Sequence, residues 1–425
     1  MLSQSLPLLA LAATALGFPD LPFKTSGSEI LTSKDTPIKV AGTNWPGHND
    51  VMVPEGLQYR SIKDIVSDLK STGMNVVRLT YAIEMIDQLL DEDKSDLQSA
   101  FVDALGETEG MAVLRQLLAN NPEFSATSSR LDVFDAIVEE LNVQEIYVNL
   151  DNHISSGEWC CGANDGNTWW GDEHFDADKW VRGLAYMAEH GSSHPLRIPP
   201  QPTNTHQGKA WPNLMSMSLR NELREPSNNA TLLETYNWQT WYKYMREGAQ
   251  AVSDANPDPL IILSGLNYDT TLQPVVRGQP LTPGDEVFSF DDFSADKIVF
   301  ELHNYDTRAT NCADITGALY NGGAQAMVPD DETTVNAAPV LITEFGFAQT
   351  EYQGVYATCL ADWMPDNTAG WMQWVVAGSY YLRSGTPDYD ETWALYDHEW
   401  QSWRVPEYVE GIFSDSIAAT LADNA

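Results

Sequence analysis

Ile62-Lys63-Asp64-Ile65-Val66-Ser67-Asp68-Leu69-Lys70-Ser71-Thr72-Gly73-Met74-Asn75-Val76-Val77-Arg78-Leu79 changes its period partway along. Ile62, Ile65, Val66 and Leu69 fall on one helical face, and Gly73 is placed to end that helix. Two residues later, Asn75 to Leu79 (NVVRL) reads as a buried strand. The unit then recurs. A helix from Asp132 to Leu141 leads into Glu145 to Leu150 (EIYVNL), and one from Lys179 to Glu189 precedes Leu214 to Leu219 (LMSMSL). A helix from Leu232 to Ser253 precedes Leu260 to Leu263 (LIIL), and Lys297 to Leu302 (KIVFEL), Val340 to Thr343 (VLIT) and Trp371 to Val376 complete the series. With Ile38 to Ala41 near the start, this makes about eight apolar strands, mostly separated by helices, which predicts a parallel sheet covered on both faces. At this count and length the expected α/β architecture is a closed (β/α)8 barrel in a single domain. A doubly wound open sheet would carry a Gly-rich phosphate loop after its first strand, and none is present.

Composition supports a sizeable core, with 43% apolar and 20% charged residues. The net charge of -38 excludes nucleic acid and anionic membrane surfaces as partners and suits a neutral substrate. Strong acidity can also mark disorder, but 14 Trp and 17 Tyr argue against it. Leu6 to Leu16 is an apolar run too short to span a bilayer, and Ala15 and Gly17 suit the small-residue positions before a cleavage site. Residues 1–17 are therefore expected to be a secretory signal and 18–425 the folded domain, secreted as a monomer. Cys160, Cys161, Cys312 and Cys359 agree with secretion. Joining the neighbours Cys160 and Cys161 would close a small ring, so two cross-pairings with Cys312 and Cys359 are expected. Asn229-Ala230-Thr231 is a glycosylation sequon. Ser192 to Trp211 reads as a surface loop on the barrel face opposite the chemistry. Gly157 to Asp172, carrying Trp159, Trp169 and Trp170, follows a strand instead.

In such a barrel, functional groups project from the C-terminal ends of strands. LMSMSL stops at Arg220-Asn221-Glu222, and VLIT stops at Glu344-Phe345-Gly346, so two carboxylates stand on different strand ends. Two carboxyl groups flanking a bond are what glycoside hydrolysis requires. Arg78 closes NVVRL, His153 follows YVNLD, and His303 with Tyr305 follows IVFEL. Arg and Tyr beside a carboxylate would keep it ionised and lower its pKa. Trp374 could form an apolar sugar platform, in competition with Trp371, and strand alternation allows only one of the two to look inward. Any one of these residues alone would be read as core or as a structural ion pair. Their meeting at strand ends is what carries the inference.

Leu219-Arg220-Asn221-Glu222, followed by Leu223-Arg224-Glu225-Pro226, resembles the Asn-Glu-Pro region of glycoside hydrolase family 5, the cellulase family. Gly42-x-Asn44-Trp45, Arg78, His153, His303-x-Tyr305, Glu344-Phe345-Gly346 and Trp374 match its other strand-end positions in order, from about Gly42 to Tyr381. The resemblance implies that Glu222 is the acid/base and Glu344 the nucleophile. Asn221 would bond the sugar 2-hydroxyl, Arg78 and Tyr305 would support Glu344, His153 and His303 would line the cleavage subsite, and Trp374 would stack beneath its sugar. Glu222 is expected to keep a raised pKa from the nearby negative charge. Asp151 to Asp172 is longer and more aromatic than in many bacterial cellulases, and Pro226 arrives late, so the chain looks most like secreted eukaryotic cellulase-like members. The expected activity is a retaining endo-β-1,4-glucanase acting on β-linked polysaccharide or oligosaccharide, with no metal and no cofactor. A β-mannanase, or an exo-acting glycosidase on diglycosides or glycolipids, is the alternative within the same chemistry. A non-catalytic carbohydrate-binding barrel is the alternative from another class. A metal-dependent barrel hydrolase would want an HxH after the first strand, which is absent.

Overall fold

A computed structural model describes residues 20–92, 94–192, 210–422 and 424. The expected signal segment lies outside these residues, as does most of the loop between Ser192 and Trp211. A short hairpin, β1 (Lys24–Ser26) and β2 (Glu29–Leu31), comes first. Then β3 (Val40–Trp45), β4 (Val76–Ala82), β5 (Tyr147–Ile154), β6 (Leu214–Ser218), β7 (Leu260–Leu263), β8 (Ile298–Asn304), β9 (Val340–Phe345) and β10 (Gly370–Gln373) follow. These eight pair in parallel and close into a barrel, with β10 beside β3. A second hairpin, β11 (Ser379–Arg383) with β12 (Thr386–Asp390), lies beyond the last barrel strand. The (β/α)8 architecture is as expected.

Alternation along each strand divides the core in two. On β4, Val77, Leu79 and Tyr81 point out into the layer shared with the helices. Val76 points in and packs with Tyr147, Met215, Ile262, Val299, Leu341 and Met372, and Phe23 and Ile30 of the first hairpin plug that end of the barrel. Moving up the barrel, the inward positions turn polar: Arg78 lies in register with Asn44 on one side and Asn149 on the other. The apolar plug holds one end closed, and the polar tier above it carries the site.

The opening segment folds as its pattern predicts. Ile62, Ile65, Val66 and Leu69 are buried in the helix Ile62–Ser71, whose first turn is capped by the Ser61 side chain accepting from the Asp64 amide. Such a cap contributes about 1 kcal/mol. Gly73 takes φ +88°, a left-handed turn that favours glycine. Gly42 is needed for a different reason: a Cβ there would sit 1.8 Å from the Val76 carbonyl oxygen. This part of the Gly-x-Asn-Trp motif holds β3 against β4.

Several boundaries differ from expectation. The first strand begins at Val40 rather than Ile38 and runs on to Trp45, and the last stops at Gln373. The single helix expected from Leu232 to Ser253 is two, Ala230–Leu233 and Trp238–Ala255, because the Asn237 side chain accepts from the Thr240 amide and starts a new helix. Helices Leu97–Leu105 and Glu107–Asn120 form an addition between β4 and β5 that the strand-and-helix count passes over.

Candidate active site

A cleft of about 510 Å³ opens over the C-terminal ends of the strands, and Glu222, His153, His303, Tyr305, Glu344 and Trp374 all line it. Arg78 lies beneath, fully buried, and connects them. One terminal nitrogen donates to Glu344 Oε1 at 2.6 Å and to Asn44 Oδ1 at 2.9 Å; the other donates to Asn221 Oδ1 at 2.9 Å. The second nitrogen also lies 3.1 Å from Asp151 Oδ1. Burial works against the charge of Arg78, but Asp151, Glu344 and Glu301 outweigh it and keep the guanidinium protonated.

Glu344 accepts a second bond at Oε2 from the Tyr305 hydroxyl, at 2.8 Å. Arg78, His303 and this bond favour its charged form, yet burial is the larger effect and leaves its pKa above the ordinary value. The expected lowering is thus present as a pull but not as the net result.

Glu222 leaves β6 on a sharp backbone turn with φ +45°, its amide donating to Asp269 Oδ2 at 2.9 Å. Its Oε1 lies 3.0 Å from His303 Nδ1, and its carboxyl is pushed up to about 7. Burial is the main cause, opposed by Arg224 and Arg78 and reinforced by Asp151. The nearby negative charge expected to raise it is a secondary effect, because the side chain is only 13% exposed.

Burial lowers the pKa of both histidines. His153 Nδ1 pairs with Asp151 Oδ2 at 2.6 Å, which leaves Nε2 to accept from the Asn221 amide at 3.3 Å. His303 Nε2 contacts Thr343 Oγ1 at 3.0 Å. The His153 ring stacks on Trp374 at 5.3 Å, with 17° between the planes. Trp371 points the other way: its indole N–H donates to Thr420 Oγ1 and its ring packs against Phe413. Of these two, Trp374 is the one that faces the cleft, as alternation requires.

The cysteine expectation is corrected. Cys160 bonds to Cys161, with Cα atoms 3.0 Å apart, and Cys312 bonds to Cys359 at 5.4 Å. Topology is the reason. Cys312 and Cys359 sit on the helices that follow β8 and β9, whereas Cys160 and Cys161 lie in the loop after β5 at the cleft. Trp159 of that loop lines the cleft, but Trp169 and Trp170 are buried beneath it and pack against Tyr236 and Tyr244.

The structure adds residues that the strand-end reading missed. Asp269 arrives on a loop in which Asn267, Tyr268 and Asp269 all have left-handed φ of 55° to 60°. Arg383, Glu391 and Trp393 reach the cleft from the region of the second hairpin, the Arg383 guanidinium lying 3.5 Å over the Trp159 ring. Nothing in an Arg or Glu at a hairpin beyond the barrel announces this role. His48, its ring 3.9 Å from that of His153 and tilted 33° to it, is marked in the sequence only as a residue just past the first strand.

Among the described residues two groups have metal-ligating atoms close together, Glu222 with His303 and Glu344, and His153 with Cys160 and Cys161. In the first, Arg78 and Tyr305 already occupy Glu344; in the second, both sulfurs are bonded to each other and offer no thiolate.

A parallel (β/α)8 barrel with two facing carboxyl groups at its strand ends is an arrangement that glycoside hydrolases use. The model of one such family, cellulase (glycosyl hydrolase family 5), matches residues 206–379. A glycosyl hydrolase 5 family protein of Chamaecyparis obtusa is 31% identical over 95% of this chain and 67% of its own length. An endoglucanase of Paenibacillus polymyxa is 20% identical over 94% of this chain and 88% of its own. The chain belongs to glycoside hydrolase family 5. An endocellulase of Pyrococcus horikoshii, solved in complex with cellotetraose, shares the fold with a TM-score of 0.67, at 16% identity over 94% of this chain and 99% of that one.

Proposed function

We propose that the protein is a retaining endo-β-1,4-glucanase that cleaves soluble or amorphous β-glucan by double displacement, with Glu344 as nucleophile and Glu222 as acid/base. The observation that carries this reading is the close approach of the two groups across the cleft: an oxygen of one carboxyl lies no more than 4.8 Å from an oxygen of the other, which suits the shorter of the two known carboxyl separations. Retention needs about 5 to 5.5 Å, whereas inversion needs about 6.5 to 9.5 Å to admit a water. Glu344 attacks the anomeric carbon as the bond to the leaving oxygen breaks, and Glu222 gives that oxygen its proton. Forming the glycosyl ester neutralises Glu344. Glu222, now ionised, takes a proton from the water that cleaves the ester, and both carboxyls return to their starting states. Arg78 and Tyr305 hold the attacking carboxylate, Asn221 would bind the 2-hydroxyl, and His153, His303 and Trp374 would seat the sugar at the cleavage point. The glucan reading is supported by the endoglucanase among the relatives. Two disulfides fit an oxidising, extracellular setting, with residues 1–17 as the secretory signal and 18–425 as a monomeric catalytic domain. No described helix is long and apolar enough to cross a membrane.

The test is product formation on a panel of β-glucans, β-mannans and aryl glycosides. Release from glucan supports the proposal, release from mannan or aryl glycosides alone replaces the substrate, and no release from any sugar contradicts the enzyme reading. The pH dependence should follow the acid/base. Glu222 must be protonated to act first, so kcat/KM should fall as pH rises through about 7. It should fall again on the acid side, as Glu344 takes up a proton above the usual carboxylate range. A rate profile recorded for Glu222→Gln on an activated aryl glycoside, which needs no acid assistance, should lack the alkaline limb.

A further inference from the structure

We propose that the Cys160–Cys161 disulfide is a sugar-binding surface, an apolar plate against which a pyranose ring of the substrate packs; the proposal rests on the carbohydrate reading above. Both cysteines line the cleft with Trp374 and Glu222. The Asn221 Nδ2 atom lies 3.6 Å from Cys161 Sγ and 3.8 Å from Cys160 Sγ. One amide hydrogen goes to His153 Nε2; sulfur is a weak acceptor, so the contacts with the cysteines leave the other available to a hydroxyl. A sugar bonded to Asn221 is thereby brought against the two sulfurs. Joined to each other, they present only sulfur and methylene, with no donor to leave unsatisfied, which suits the C–H face of a pyranose.

The surroundings fix this plate relative to the chemistry. Buried Arg224 donates from Nε to the Gly162 carbonyl at 2.7 Å and from one terminal nitrogen to the Glu222 carbonyl at 2.9 Å. Its other terminal nitrogen pairs with Asp165 at 2.5 Å, and Asp165 accepts from the Gly162 amide at 2.7 Å. The loop carrying the sulfurs is thus tied to the backbone of Glu222. This also gives a use to Arg224, one of the residues that delay Pro226.

A role in stability explains the bond poorly. A cross-link stabilises chiefly by closing a loop in the unfolded chain, and the effect grows with loop length. Cys312–Cys359 spans 47 residues, whereas Cys160–Cys161 joins neighbours and closes no chain loop.

The experiment compares wild type, C160S/C161S and C312S/C359S. Cellotetraose binding is followed by tryptophan fluorescence, turnover by KM and kcat, and folding by Tm. C160S/C161S is expected to weaken the Kd for cellotetraose about tenfold, with KM rising in step and kcat falling less. C312S/C359S is expected to lower Tm with Kd unchanged. If C160S/C161S does not fold, the same Kd is measured on wild type before and after mild reduction, with the reduced pair identified by mass spectrometry; it should weaken on reduction and recover on reoxidation. Turnover with Kd and KM unmoved by loss of this disulfide overturns the proposal and leaves the hydrolase reading standing. Binding without turnover, weakened by loss of the disulfide, supports the proposal and ends the hydrolase reading. A wild-type protein that binds no cellotetraose overturns the proposal too.

Discussion

Glu344→Gln is expected to lower kcat by about five orders of magnitude, the scale seen when a covalent nucleophile is removed. The amide has nearly the shape of the carboxylate but cannot form the glycosyl ester. Folding should survive. Arg78 would keep Asp151 at 3.1 Å and Glu301 at 4.0 Å as counter-charges, and Tyr305 would keep an oxygen to bond. The check is single-turnover and steady-state rates on a cellooligosaccharide, together with the thermal midpoint. Near-normal turnover by the folded variant would remove Glu344 as nucleophile.

The second large effect concerns Arg78. Among the described residues it is the arginine paired with Asp151, Glu301 and Glu344, all of them buried with it. Replacing it with Met takes from those carboxyls the guanidinium they are paired with, a loss that costs about 3–5 kcal/mol. The sign of the pH dependence follows. Arg78 lowers the pKa of all three acids, so without it their folded-state values rise further above the unfolded ones. The variant should therefore lose stability as pH rises through these values and regain it as the carboxyls protonate. Thermal melts of wild type and Arg78→Met between pH 5 and 8 should show a gap that widens with pH. A gap that stays constant would mean that Arg78 acts through packing rather than charge. Activity should fall as well, since Glu344 and Asn221 lose their shared anchor.

Where alternation and helical period are strong, sequence and structure coincide. NVVRL places Arg78 inward because Val76 and Arg78 share a face, and the two strand ends bearing Glu222 and Glu344 could be read off by where the apolar runs stop. Trp374 facing the cleft, with Trp371 turned away, follows from the same period. What escaped depends on features with no period. The β8–β9 pairing shifts register between Leu302 and His303, just where His303 and Glu344 enter the cleft. Asp269 depends on a run of left-handed residues, and Arg383 and Glu391 on a hairpin beyond the barrel. The disulfide partners follow from which helices are neighbours in the closed barrel, a fact of topology that spacing along the chain does not carry. The pKa of Glu222 was anticipated in direction but not in cause: burial depends on the loops that fold over the cleft, and no strand pattern reports them.

The most direct test of the paired carboxylates is the configuration of the first product. Hydrolysis of a β-glucan oligosaccharide, followed by proton NMR from the earliest time points, should show the β-anomer first and the α-anomer only as mutarotation proceeds. Initial release of the α-anomer would mean single displacement by water and would contradict both the assignment of Glu344 as nucleophile and the reading of the two carboxyls as a closely approaching pair.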